Sequence, residues 1–106
     1  MEPVEELKIA FDEVGEAVYK TCRNLLNCSE LNCIVLNMNM FFGVKEVLIV
    51  RCMFVSDPVL NYLKIKITVL KTDGEVISSF IFNPNDNADS FASFWEDTWL
   101  VFNSFA

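Results

Sequence analysis

LNYLKIKITVLKTDGEVISSFIFN, running from Leu60 to Asn83, is the stretch that decides the fold. Leu63, Ile65, Ile67 and Val69 alternate with Tyr62, Lys64, Lys66 and Thr68. A period of two sends successive side chains to opposite faces of a strand, so one face is apolar and the other polar and basic. Thr72-Asp73-Gly74 interrupts the pattern, and its glycine can take the positive φ that a tight hairpin requires. Leu60 to Lys71 and Glu75 to Asn83 are therefore expected to pair as an antiparallel hairpin.

The preceding sequence repeats the arrangement. Leu31 to Phe42 and Lys45 to Ser56 are rich in β-branched and other apolar residues, and Phe42-Gly43-Val44-Lys45 is a short glycine-containing link of the kind that closes a hairpin. Ser56-Asp57-Pro58 separates the two hairpins, because proline cannot donate to a ladder and restricts the residue before it. Four strands in a meander result. The first two differ from the third in being apolar on both faces: the outward set holds Cys33, Val35, Phe41, Val47, Ile49, Met53 and Val55, broken only by Asn37, Asn39 and Arg51. An apolar patch of this extent points to a second surface that covers it, and Val35, Val47, Ile49 and Met53 are the candidate self-association residues.

Outside the strands the period changes to that of a helix. From Val4 to Leu25 the positions Val4, Leu7, Phe11, Val14, Val18 and Leu25 keep a three-four spacing, with Thr21 in the slot that breaks the series. Glu2, Glu5, Glu6, Asp12, Glu13 and Glu16 occupy the other face and crowd the N-terminal half, where the helix dipole favours them. The series is too short for a sustained coiled coil, so its stripe is expected on the sheet. From Asp86 to Phe105 a second helix is predicted, with Asp86 as N-cap and Asp89 completing an imperfect capping box. Phe91, Phe94, Trp95, Val101, Phe102 and Phe105 form its apolar arc, and Asp89, Ser93, Glu96, Asp97, Asn103 and Ser104 lie opposite, with Leu100 among them. The expected fold is α+β: helix, four-stranded antiparallel β-meander, helix, in one α-ββββ-α domain over residues 1–106, both helices on one face of the sheet.

Length and composition agree with that plan. The 106 residues are close to the commonest size of one domain, and 53% of them are hydrophobic, which excludes disorder. The longest uncharged run, Leu31 to Val44, carries three asparagines and falls well short of the roughly 20 apolar residues a spanning helix needs. The acidic start Met1-Glu2-Pro3-Val4-Glu5-Glu6 is unlike a secretory or transit segment, so the expected location is cytoplasmic, with Cys22, Cys28, Cys33 and Cys52 reduced. Asn27-Cys28-Ser29 fits a glycosylation sequon, but the match is idle in a protein that stays out of the secretory pathway.

The residue inventory argues against catalysis. There is no histidine, and the cysteine gaps of five, four and eighteen residues do not match zinc-site spacing. Asn83 to Asp89 lacks the central glycine and closing glutamate of a calcium loop. Neither a metal nor a cofactor is expected. Nucleophilic hydrolysis lacks its usual base, and none of Gly15, Gly43 and Gly74 opens a helix after a strand as a phosphate loop requires. Carboxylate pairs such as Asp12 with Glu16 or Glu96 with Asp97 fall on solvated helix faces, where nothing raises a pKa for acid-base work. The chain reads as a non-enzyme.

Charge is what remains informative. Residues 1–20 hold six acids and two bases, residues 86–106 four acids and none, and the stretch between them five acids and six bases. The net charge of −7 thus belongs to the helices, whose exposed side becomes an acidic surface that attracts basic partners. Glu5, Asp12, Glu16, Glu96 and Asp97 are the candidate partner-binding residues. In size, charge and lack of catalytic groups the chain resembles small toxin-neutralising immunity proteins and phage-borne nuclease inhibitors, a likeness of class that implies occupation of a basic site on another protein. It is also similar to secretion chaperones, which are small, acidic, dimeric α+β proteins with exposed apolar strands for an unfolded client, although a helix is wanted in mid-chain where strands are read here. Nucleic-acid binding through Phe41, Arg51, Tyr62, Lys64 and Lys66 on the outer sheet face is a third reading, against which the net charge argues.

Overall fold

The structure is a computed structural model and describes residues 3–26, 35–42, 45–57, 59, 62–83, 85 and 87–105. Its elements are α1 (Pro3–Leu26), β1 (Val35–Phe42), β2 (Lys45–Asp57), β3 (Tyr62–Leu70), β4 (Val76–Phe82) and α2 (Ala88–Phe105). The strands form one antiparallel sheet in the order β1-β2-β3-β4, the expected meander. Met40, Leu48, Val50, Cys52, Ile65, Ile67, Val69 and Phe82 from the sheet share one buried cluster with Phe11, Val18 and Cys22 of α1 and Phe91, Phe94, Trp95, Trp99 and Phe102 of α2. Both helices thus cover the same face.

The β3-β4 turn forms as its residues require. Gly74 has φ 93°, its amide donates to the Lys71 carbonyl at 2.9 Å, and the Lys71 amide donates to the Glu75 carbonyl at 2.8 Å. Asp73 Oδ1 accepts from the Glu75 amide at 2.9 Å, a local bond that favours aspartate in turns. The links through Gly43 and through Pro58 lie outside the described residues, as do the first strand's expected start at Leu31, the sequon, Cys28 and Cys33.

The buried stripe of α1 differs from the one read from spacing. Phe11, Gly15, Val18 and Cys22 are buried, while Val4 is exposed and Thr21 only half-buried. The buried positions Phe11, Gly15, Val18 and Cys22 follow a four-three-four spacing in the middle and second half of the helix, and Val4 shares their side but lies in the first turn. In α2 Thr98 and Trp99, which the expected arc left out, are buried, whereas Val101 and Phe105, which it included, are exposed. Thr98 is tolerated there because its hydroxyl donates to the Phe94 carbonyl and meets the Ser78 hydroxyl, each at 2.8 Å. At the start of α2, Asn87 acts as the cap, its Oδ1 accepting from the Ser90 amide at 3.0 Å. Asp86, the expected cap, lies outside the described residues.

Candidate functional site

The two helices meet where α1 has no side chain. Trp95 lies against Gly15, and its indole Nε1 donates to the Phe11 carbonyl at 2.9 Å. Its ring stacks on Phe11 at 4.4 Å between centroids and 20° between planes, and on Phe91 at 5.9 Å and 14°. An indole N–H buried in an aromatic cluster needs an acceptor, and the carbonyl one turn before a glycine is reachable because no Cβ shields it.

Beside this crossing runs a groove of about 280 Å³. Gly15, Phe91 and Trp95 are its buried floor, Tyr19, Ala88 and Ala92 its walls, and the exposed carboxylates of Asp12, Glu16 and Glu96 its rim. The volume is at the lower limit for small-molecule pockets and suits a single side chain better than a cofactor. Lys8 crosses the rim, with Nζ 2.9 Å from Asp12 Oδ1 and 2.7 Å from Glu96 Oε2, and it lies 5.4 Å from the centre of the Trp99 ring. Burial works against its charge, but the hydrogen bonds to Glu96 and Asp12 outweigh that and hold its pKa above 10.5. Lys20 pairs with Glu16 at 2.9 Å. Ion pairs this exposed are worth about 0–1 kcal/mol, so a cation arriving at the rim competes on nearly equal terms.

Of the five acidic residues singled out in the sequence, Asp12, Glu16 and Glu96 converge on the groove. Glu5 lies two turns before Asp12 on α1, and Asp97 lines a different, wider crevice of about 510 Å³ between α2 and β4, with Ser78, Phe80 and Val101. The floor was not legible as a site: Gly15 looks like an ordinary helix glycine, and the one signal was that glycine in a helix interior costs about 1 kcal/mol against alanine and so invites a packing reason.

On the sheet face away from the helices, pairing sets Met53 opposite Lys66 and Lys66 opposite Ile81, with Arg51 opposite Thr68 and Thr68 opposite Ser79. A polar row of Arg51, Thr68 and Ser79 thus lies beside a mixed one in which the exposed Lys66 stands between Met53 and Ile81. Met53 and Ile81 are exposed and Ile49 half-buried, while Val35 is placed opposite Met53 by register. Val47 departs from the outward set: the register passes from Met40↔Leu48 to Phe41↔Glu46, so Val47 is the extra residue of a β-bulge and packs, partly buried, against the core.

Among the described residues, no group of three or more Cys, Asp or Glu side chains converges as metal ligands, and no helix is long and apolar enough to cross a membrane. No protein-family model, curated protein or solved structure matches this chain.

Proposed function

We propose that this protein is a non-enzymatic, cytoplasmic protein-binding module whose acidic helical surface occupies a basic site on a partner, in the manner of an immunity-type or phage-type inhibitor. The observation that carries the reading is the groove between α1 and α2, whose aromatic floor accepts the aliphatic stem of a lysine or arginine while the carboxylates of Asp12, Glu16 and Glu96 meet its charge. Exchanging Glu5, Asp12, Glu16, Glu96 and Asp97 for their amides is expected to slow association with that partner about tenfold or more, since steering by surface charge acts on the on-rate. Melting should change little. The partner itself is obtained by pull-down from the native host followed by mass spectrometry, and surface plasmon resonance at two salt concentrations then reads the effect. Indifference of the affinity both to the substitutions and to salt would reduce the acidic face to a solubility device.

A second reading has its own observation, the uncovered outer sheet face with Ile49, Met53 and Ile81. There the protein is a dimer, and the face is either buried between two copies or offered to an unfolded client, as in secretion chaperones. Sedimentation at micromolar concentration is expected to show a dimer, and Ile49→Asp with Met53→Lys should convert it to monomer. A pure monomer in the unaltered protein refutes self-association. Loss of client binding on these substitutions, with little response to salt, would favour the chaperone over the inhibitor.

A further inference from the structure

Cys22 projects from the buried stripe of α1 and Cys52 from the centre of β2, onto the same side of the sheet. They are 0% and 2% exposed, and their sulfurs lie 4.0 Å apart. Both thiols are reduced, and each has the other as a hydrogen-bond partner. Taken alone, a buried cysteine is a small hydrophobe that needs no partner. Two that meet in one core, from elements thirty residues apart in the chain, are a different matter. A disulfide needs sulfurs about 2 Å apart, so roughly 2 Å of approach separates this pair from a covalent link.

We propose that Cys22 and Cys52 are a redox site, which hydrogen peroxide converts into a disulfide that ties α1 to β2. Cys52 supplies the attacking sulfur. Its pKa is lowered by the hydrogen bond it receives from Cys22, against the opposing effect of burial, whereas that same contact and burial both raise Cys22. The Cys52 thiolate attacks one peroxide oxygen, the O–O bond breaks, and the other oxygen leaves as water after taking up a proton. The sulfenic acid so formed is attacked by the Cys22 sulfur, which loses its proton, and the second oxygen leaves as water. Two thiols and one peroxide thus become one disulfide and two waters. Each sulfur gives up one electron and the peroxide accepts both. Because neither sulfur is exposed, peroxide reaches Cys52 only through brief local openings of the core around the pair, and oxidation is slower than that of a surface thiol.

The disulfide would anchor the helix that carries Asp12 and Glu16, and closing so long a loop is expected to raise the melting temperature on the order of 10 °C. The test uses the full chain treated with hydrogen peroxide. Remaining thiols are then blocked with N-ethylmaleimide in denaturant, and the digest is mapped by mass spectrometry. The expected result is a peptide pair joining Cys22 to Cys52, separable by dithiothreitol, with a rise in melting temperature that dithiothreitol reverses. Recovery of both residues as N-ethylmaleimide adducts overturns the proposal, as does their oxidation to sulfinic acid without a link. A Cys28→Ser, Cys33→Ser variant removes exchange with the other two thiols. Links confined in the unaltered chain to Cys28 or Cys33 also overturn it.

Discussion

Replacing Gly15 with alanine is expected to destabilise the protein by about 2 kcal/mol or more, although alanine is the better helix former by about 1 kcal/mol. A Cβ built on Gly15 would lie 2.7 Å from Cε2 of Trp95 and closer still to Cδ1 and Nε1. These are ring atoms, not the far end of a flexible chain, and the ring is held by its bond to the Phe11 carbonyl and by stacking between Phe11 and Phe91. Relief requires α1 and α2 to separate, and separation opens the core on both sides of the crossing. Overpacking therefore outweighs propensity. A double-mutant cycle identifies the cause: Trp95→Ala should cost about 3–5 kcal/mol by itself, and in that background Gly15→Ala should become neutral or stabilising. Urea melts of the four proteins read the result. A Gly15→Ala variant at least as stable as the original would mean that the helices do not cross where the structure places them.

Removal of α2 is expected to abolish folding altogether. Phe91, Phe94, Trp95, Trp99 and Phe102 are all buried, and at about 2 kcal/mol of burial each they account for on the order of 10 kcal/mol, comparable with the total stability of about 5–15 kcal/mol of a whole domain. Nothing else in the cluster can replace them, because Phe11 packs directly against Trp95, Trp99 and Phe102, and Phe80 and Phe82 against Phe91. Truncation after Asn87 should leave a chain without a cooperative thermal transition and with dye-accessible apolar surface. A truncated chain that still melts cooperatively would show that the sheet and α1 have a core of their own.

Each prediction rests on a contact between segments far apart in the chain, and that marks where sequence reading stops. The element order was legible, because helix and strand periods belong to the backbone: Ile65, Ile67 and Val69 are buried and Lys66 exposed as alternation requires, and the turn at Gly74 follows from its freedom at positive φ. The aromatic stripe of α2 was legible as core for the same reason. Trp99 at the edge of that arc and Thr98 near its centre were missed, and Thr98 is buried because Ser78, twenty residues away, meets its hydroxyl.

What the sequence determined by itself, then, is the succession of helix, four strands and helix, the alternation that turns Ile65, Ile67 and Val69 of β3 inward, and the concentration of acid on the helices, all of which depend on neighbours within a few residues. Tertiary structure alone decided the rest. Asp12, Glu16 and Glu96 share one rim because α1 and α2 cross at Gly15, Val47 leaves the outer face because a bulge adds one residue to β2, and Cys22 meets Cys52 because α1 lies on the sheet in this register. Spacing along a chain sets which residues share a face of one element, whereas a groove, a bulge or a pair of sulfurs depends on how two elements pack.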